Sequence, residues 1–306
     1  MNRREPLQTA TIAAIVVAVL AVSSSAPIIA FAAAPALAIA FWRNAAASVV
    51  LWPVAVTRRR DELTGLAGTK GRSALIGCVL AGCALAAHFA TWVPSVKLTS
   101  VADAVALCAI QPVWQGLIAL RQGRTLPRVM WVGVGLAVAG AIAATGADFA
   151  VSHRAVIGDL LAIVGGMAAA VYTAFGERAR VATSTITYTT ICYSVCAVLL
   201  LAVCLIGRVQ LGGFDAGTWA AIAGLVIGAQ LLGHSMFNYA LEHVSATTVA
   251  VLILLEIPGA GLLAWVWLGQ TPDASSIPGL LLLVSGVVTV LLGSRQVMAL
   301  PVAEEP

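Results

Sequence analysis

Ala104-Val105-Ala106-Leu107-Cys108-Ala109-Ile110-Gln111-Pro112 recurs, 146 residues on, as Ala250-Val251-Leu252-Ile253-Leu254-Leu255-Glu256-Ile257-Pro258. Each copy is an apolar run with one polar residue just before a proline. The same offset pairs His88 with His234, Leu117 with Leu263, Gly123 with Gly269 and Thr125 with Thr271. It also pairs Gly133 with Gly279, Leu136 with Leu282 and Gly140 with Gly286, and no gap is needed from Ala74 and Ala220 onward. Apolar segments match one another easily, so the His, Pro and Gly pairs carry the weight. They indicate a duplicated chain with halves 1–150 and 151–306, which together form one domain.

Composition says what kind of unit is duplicated. Of 306 residues, 60% are hydrophobic and only 10% charged, against about 25% charged in soluble chains. The mean hydropathy is +0.99. Apolar stretches fall at about 8–31, 37–56, 73–95, 99–120, 128–146, 157–176, 185–206, 217–240, 245–268 and 276–293. A bilayer crossing takes about 20 such residues, so ten helices use most of the chain and exclude a separate soluble domain. The net charge of +4 comes without a basic cluster interleaved with aromatic rings, which excludes a nucleic-acid partner.

The basic residues set the orientation. With the N-terminus in the cytoplasm, the inner side holds Arg3, Arg4, Arg58, Arg59, Arg60, Lys70, Arg72, Arg121, Arg124, Arg128, Arg178, Arg180 and Arg295. Only Lys97, Arg154 and Arg208 fall outside, and Arg43 lies within the second span. This bias follows the positive-inside rule and places both termini in the cytoplasm. Asn2-Arg3-Arg4 before an apolar run also has the form of a signal peptide, but its removal would leave nine spans and break the pairing of halves. Five spans per half is an odd number, so the second half enters the membrane inverted. The basic connection holding Arg121, Arg124 and Arg128 corresponds to Gln270–Ser276, which has no basic residue. Inverted halves are the architecture of alternating access. All six cysteines (Cys78, Cys83, Cys108, Cys192, Cys196 and Cys204) fall inside spans at no zinc spacing, so they read as packing residues.

The chain resembles the ten-helix, EamA-type branch of the drug/metabolite transporter superfamily. The matching features are Phe41-Trp42-Arg43 in the second span, Leu98-Thr99-Ser100-Val101-Ala102 with Pro112 in the fourth, and Gly133 to Gly140 in the fifth. Gly158-Asp159-Leu160-Leu161, Val244 to Thr248 with Pro258, and Gly279 to Gly286 repeat them. The resemblance implies an all-α polytopic fold, a 5+5 inverted repeat and a bacterial-type inner (plasma) membrane location. It also implies a central cavity lined by spans 1, 3, 4, 6, 8 and 9, and export of amino acids or related small metabolites. Where the family often carries a glutamate after the fourth or ninth span, Arg124 and Gln270 stand here.

Polar groups inside spans are costly and mark where a solute is handled. Glu256, two residues before Pro258, is either a contact for a substrate amine, a proton site or a structural carboxyl. Gln111 is its near-equivalent in the other half. His88, Thr91, Trp92 and Ser95 share one face of the third helix, as His234, Phe237, Asn238 and Leu241 do on the eighth. Such faces could line one cavity; the plainer reading of each His is an interhelical hydrogen bond. The candidate binding set is Trp42, His88, Trp92, Gln111, Tyr172, His234, Asn238 and Glu256, with Pro112 and Pro258 as gating hinges. Trp42 and Tyr172 also read as interface anchors. Arg43 reads as a snorkelling residue or as the partner of a carbonyl. Asp103 and Asp159 read as structural, near span ends. No cofactor or metal is expected; the partners are a small-molecule substrate and the lipid bilayer, with the chain self-sufficient as a monomer. An intramembrane enzyme is the alternative, but HExxH, GxSxG and close acidic pairs are absent from the spans. A second alternative is export of drugs or nucleotide-type metabolites.

Overall fold

A computed structural model describes residues 5–69, 71–99, 101–145, 152–259, 262–263 and 277–299. Arg3, Arg4, Lys70, Ser100, Gly269, the Gln270–Ser276 connection, both chain ends and the boundary between halves at 150/151 lie outside these residues, as do the side chains of Ala102 and Arg295. All regular secondary structure among the described residues is helical, without strands.

Helices α1 (Glu5–Ser23) and α2 (Ser25–Phe31) form one bent rod, followed by α3 (Ala36–Arg58), a short surface helix α4 (Arg60–Leu66), and α5 (Arg72–Leu98). The next rod is split into α6 (Val101–Cys108) and α7 (Gln111–Arg121); α8 (Arg128–Thr145) ends the first half. The second half holds α9 (His153–Arg180), α10 (Thr185–Ile206), α11 (Ala216–Leu225) leading into a π-helix (Val226–His234) and α12 (Ser235–Ala240), then α13 (Ala246–Ile253) and α14 (Ile277–Ala299).

Seven of these rods are long and apolar enough to cross a bilayer: Thr9–Phe31, Ala36–Arg58, Arg72–Leu98, Asp103–Arg121, His153–Arg180, Thr185–Ile206 and Ala216–Ala240. Shorter apolar helices, Arg128–Ala143, Ala246–Gly259 and Ile277–Gly293, stand where the fifth, ninth and tenth stretches were expected. The exterior is apolar: Val49, Leu160, Val198, Ile227 and Leu281 are all exposed, while Arg43, Asn44, Gln111, Gln230 and Asn238 are buried. This inside-out distribution is what hydrocarbon solvent demands, and the chain is a multi-pass membrane protein.

Packing pairs the halves. α5 lies along α9, α1 along the π-helix and α12, α3 along α10, and α8 along α14. At the last contact a Cβ on Gly133 would fall 2.9 Å from the Gly286 carbonyl oxygen, and one on Gly140 would fall 2.7 Å from that of Gly279. Two helices related by the sequence offset therefore run antiparallel, with Gly133 facing Gly286 and Gly140 facing Gly279.

The structure departs from the sequence reading in the positions of the breaks. The fourth rod opens at Ala109–Ile110 and the ninth at Leu254–Leu255, two to four residues before Pro112 and Pro258. A proline has no N–H for the carbonyl four residues back, here those of Cys108 and Leu254, so the loss of pairing appears one turn upstream. Tighter three-residue bonds bridge the gap: Ile110 to Leu107 (3.4 Å) and Val113 to Ile110 (2.9 Å), then Leu255 to Leu252 and Ile257 to Leu254, both 3.1 Å.

Candidate functional site: a central cavity between the helix breaks

The wall on α5 is built around His88. Its ring stacks on Trp92 (5.7 Å between centroids, 14° between planes), and Nδ1 lies 2.9 Å from the Gly165 carbonyl oxygen. A carbonyl only accepts, so Nδ1 carries the proton and Nε2 is left for another partner. Gly165 and Gly166 form a notch in α9. A Cβ at Gly165 would stand 3.0 Å from that of Trp92, and one at Gly166 would stand 2.8 Å from the Cys108 carbonyl oxygen, the oxygen that Pro112 leaves without its helical donor.

The facing wall comes from the π-helix and α12. His234 closes the π-helix, and its ring lies 6.5 Å from His88, 5.4 Å from Phe89 and 6.2 Å from Tyr172. The offset-related pair His88 and His234 thus meets at the centre of the bundle. Asn238 accepts from the Tyr172 hydroxyl at 2.8 Å and donates to the Tyr193 hydroxyl at 3.4 Å, which lies 3.1 Å from Ser235 Oγ. The Gln230 carbonyl accepts both the Ser235 backbone N–H across the π-turn and Ser235 Oγ at 3.3 Å. π-Bulges often sit at functional sites.

These walls, with the two helix breaks, enclose a cavity of about 60 Å³. It is lined by His88, Trp92, Gln111, Tyr172, His234, Asn238 and Glu256, seven of the eight candidates. The Gln111 amide nitrogen is buried without a hydrogen-bond partner among the described residues. Val22, Ser25, Cys108, Thr173, Phe237 and Ile253 also reach the cavity; of these only Phe237 had a signal beforehand, its place on the His234 face. Thr91 and Ser95 do not line it: their hydroxyls return to Ala87 (2.8 Å) and Trp92 (2.7 Å) carbonyls of their own helix.

Two residues stand elsewhere than expected. Trp42 is absent from the cavity; its indole N–H donates to the Leu211 carbonyl at 2.7 Å and its ring meets Trp219 edge-on at 5.3 Å, pinning the chain before α11. Arg43 does not snorkel. It is fully buried, its Nε donating to Gln230 Oε1 at 2.9 Å and its guanidinium lying 4.2 Å above the Phe89 ring. Sequence position placed it near a span end, but Gln230, which holds it, is 187 residues away.

A wider hollow of about 480 Å³ opens at the end of the bundle that carries Arg124 and His243, between Gly123–Pro127 and Val244–Thr248. α7 and α13 line both spaces: Gln111 and Val249 face the cavity, while Ala119, Thr247 and Thr248 face the hollow. Gln115, one turn from Gln111, accepts from Thr173 Oγ1 at 2.9 Å between the two levels. At the same end Arg124 pairs with Glu177 at 2.8 Å, and the buried Arg180 binds the Thr183 and Asn238 carbonyls and Glu242. Although larger, the hollow is a vestibule of loop ends; the buried convergent polar groups belong to the smaller cavity.

No curated protein matches the chain. A solved crystal structure matches at 20% identity over 95% of this chain and 99% of the other, with a TM-score of 0.75, and so shares the fold. Residues 156–292, in the second half of this multi-pass membrane protein, are similar to the EamA-like transporter family.

Proposed function

We propose that the protein is a secondary transporter that exports amino acids or related small metabolites from the cytoplasm by alternating access at the central cavity. The observation that carries this reading is the convergence of seven polar and aromatic residues from both halves, with His88 and His234 facing each other, on one cavity between two helix breaks. Ten crossings, cytoplasmic termini and a 5+5 inverted repeat are part of the proposal. The antiparallel glycine contacts of α8 and α14 support the inversion.

A volume of about 60 Å³ holds a few waters and no amino acid. The present conformation is therefore too contracted to hold the solute, which fits only when walls separate. Rings of Trp92 and Phe237 would contact an apolar side chain, while Gln111, Asn238 and Glu256 bond polar ends. The breaks at Ala109–Ile110 and Leu254–Leu255 are where α7 and the chain after α13 swing against the rest. The similarity to the EamA-like transporter family supports transport of a small molecule; the amine-binding capacity of Glu256 favours amino acids.

Counterflow in proteoliposomes tests it. Vesicles preloaded with an unlabelled amino-acid mixture are expected to accumulate labelled amino acid, and protein-free vesicles are not. Equal uptake in both sinks the reading, and accumulation only with nucleotide-type metabolites moves the substrate class.

A further inference from the structure

Arg43 is a fully buried cation whose charge no carboxylate meets: the ion pairs among the described residues belong to Arg124 and Arg180. Its donors are unequally used. Nε gives its proton to Gln230 Oε1 at 2.9 Å, and Gln230 is held in that orientation because its amide donates to Asn44 Oδ1 at 3.1 Å. Asn44 is fixed in turn by its bond to the Ala40 carbonyl at 2.9 Å. The opposite edge of the guanidinium is nearly free: Nη1 has one long contact, 3.5 Å, to Ser25 Oγ, and Nη2 is buried with no hydrogen-bond partner among the described residues.

We propose that this Nη1/Nη2 edge is an anion subsite of the central cavity that takes the carboxylate of the transported molecule; the inference rests on the transporter reading above. Arg43 itself lies behind the cavity wall, and its Nη1 reaches that wall at Ser25, whose Oγ is 3.5 Å away and which lines the cavity. Phe89 covers one guanidinium face at 4.2 Å and touches His234, another cavity residue, at 5.4 Å. With one face covered by a ring and Nε engaged by a neutral amide, the fork left open is the one that matches a planar carboxylate through two parallel N–H···O bonds. A neutral amide partner satisfies Nε without cancelling the charge, so the site stays attractive to an anion. Glu256, on the second helix break, offers the opposite sign to an amine. A zwitterion spanning the two would leave neither buried charge uncompensated, which gives the site a preference for amino acids over amines or acids alone.

The test uses four compounds of one shape, L-leucine, L-leucinamide, isoamylamine and isocaproate, as counterflow substrates and as ligands in thermal-shift titrations of the purified full chain. Wild type is expected to favour leucine over leucinamide by about tenfold or more. Arg43→Gln is expected to bring that ratio near one while still carrying leucinamide, and Arg43→Lys to keep part of it. Should Arg43→Gln fail to fold, Gln230→Glu serves: an internal carboxylate would occupy the guanidinium, raising the melting temperature of the empty protein while abolishing the preference for leucine. A preference that survives folded Arg43→Gln or Gln230→Glu overturns the subsite and makes Arg43 purely structural. Wild type that carries leucine and leucinamide equally overturns the subsite while leaving the transporter reading intact. If wild type neither binds nor carries any of the four, the amino-acid reading falls with it.

Discussion

Glu256 and Asp215 show how position changes what a carboxylate does. Asp215 lies outside the spans and caps α11: its Oδ1 accepts from the Thr218 amide at 2.9 Å and its Oδ2 from the Thr218 hydroxyl at 2.7 Å. These bonds hold its carboxyl below the usual carboxylate range. A pKa lowered on folding stabilises the fold above the unfolded value of about 3.9, and that gain is lost as pH falls through the lower folded value. Asp215→Ala is thus expected to lower the melting temperature at pH 7, with the difference from wild type shrinking in strong acid. Glu256 faces the cavity instead, where the proposed solute would meet it. Glu256→Gln is expected to lose the preference for amine-bearing substrates in counterflow competition. Retained preference with a flattened pH profile would reassign it to proton coupling, and wild-type behaviour in both assays would make it structural. Both acids are visible in the sequence, yet only the arrangement around them separates a cap from a cavity group.

Among helices, small residues and prolines set how close and how straight the rods run. A Cβ on Gly140 would meet the Gly279 carbonyl oxygen and the Leu283 backbone, atoms that cannot rotate aside, whereas Gly135 on the same helix has nothing within 4 Å. Gly140→Ala is expected to destabilise the protein by about 1–3 kcal/mol and Gly135→Ala to be nearly neutral, measured by unfolding in detergent. The prolines act by denying Cys108 and Leu254 carbonyls an α-helical donor, Leu254 taking the Ile257 N–H instead. Pro112→Ala and Pro258→Ala restore an N–H for Cys108 and Leu254, so each is expected to straighten its rod, leave stability equal or higher and slow counterflow by about tenfold. Unchanged transport rates in both variants would remove the hinges from the mechanism. Hydrophobic runs with a proline announced bent rods, but not that the break precedes the proline, nor that Val226–His234 winds as a π-helix. That widening keeps the local residues apolar and helical, so periodicity does not register it.

At the scale of the molecule, the proposed orientation puts the end carrying Arg124, Glu177, Arg180 and Glu242 in the cytoplasm and the Val209–Phe214 connection outside. Single cysteines at Arg124 and Gly212 in a cysteine-free background are expected to take an impermeant maleimide from opposite sides of the membrane. Labelling of both from one side would overturn the crossing count. The apolar composition, the rod positions and the pairing of His88 with His234 were legible in the sequence, because bilayer thickness and backbone hydrogen bonding leave a chain of this kind little other than helices. The fixed offset likewise carries the proposed symmetry without any contact being known. What fills the centre was decided by tertiary structure. Trp42 and Arg43 are neighbours in the second rod, yet one pins a connection through Leu211 and the other is buried against Gln230. Those partners lie 169 and 187 residues away, and only packing brings them within reach of a hydrogen bond.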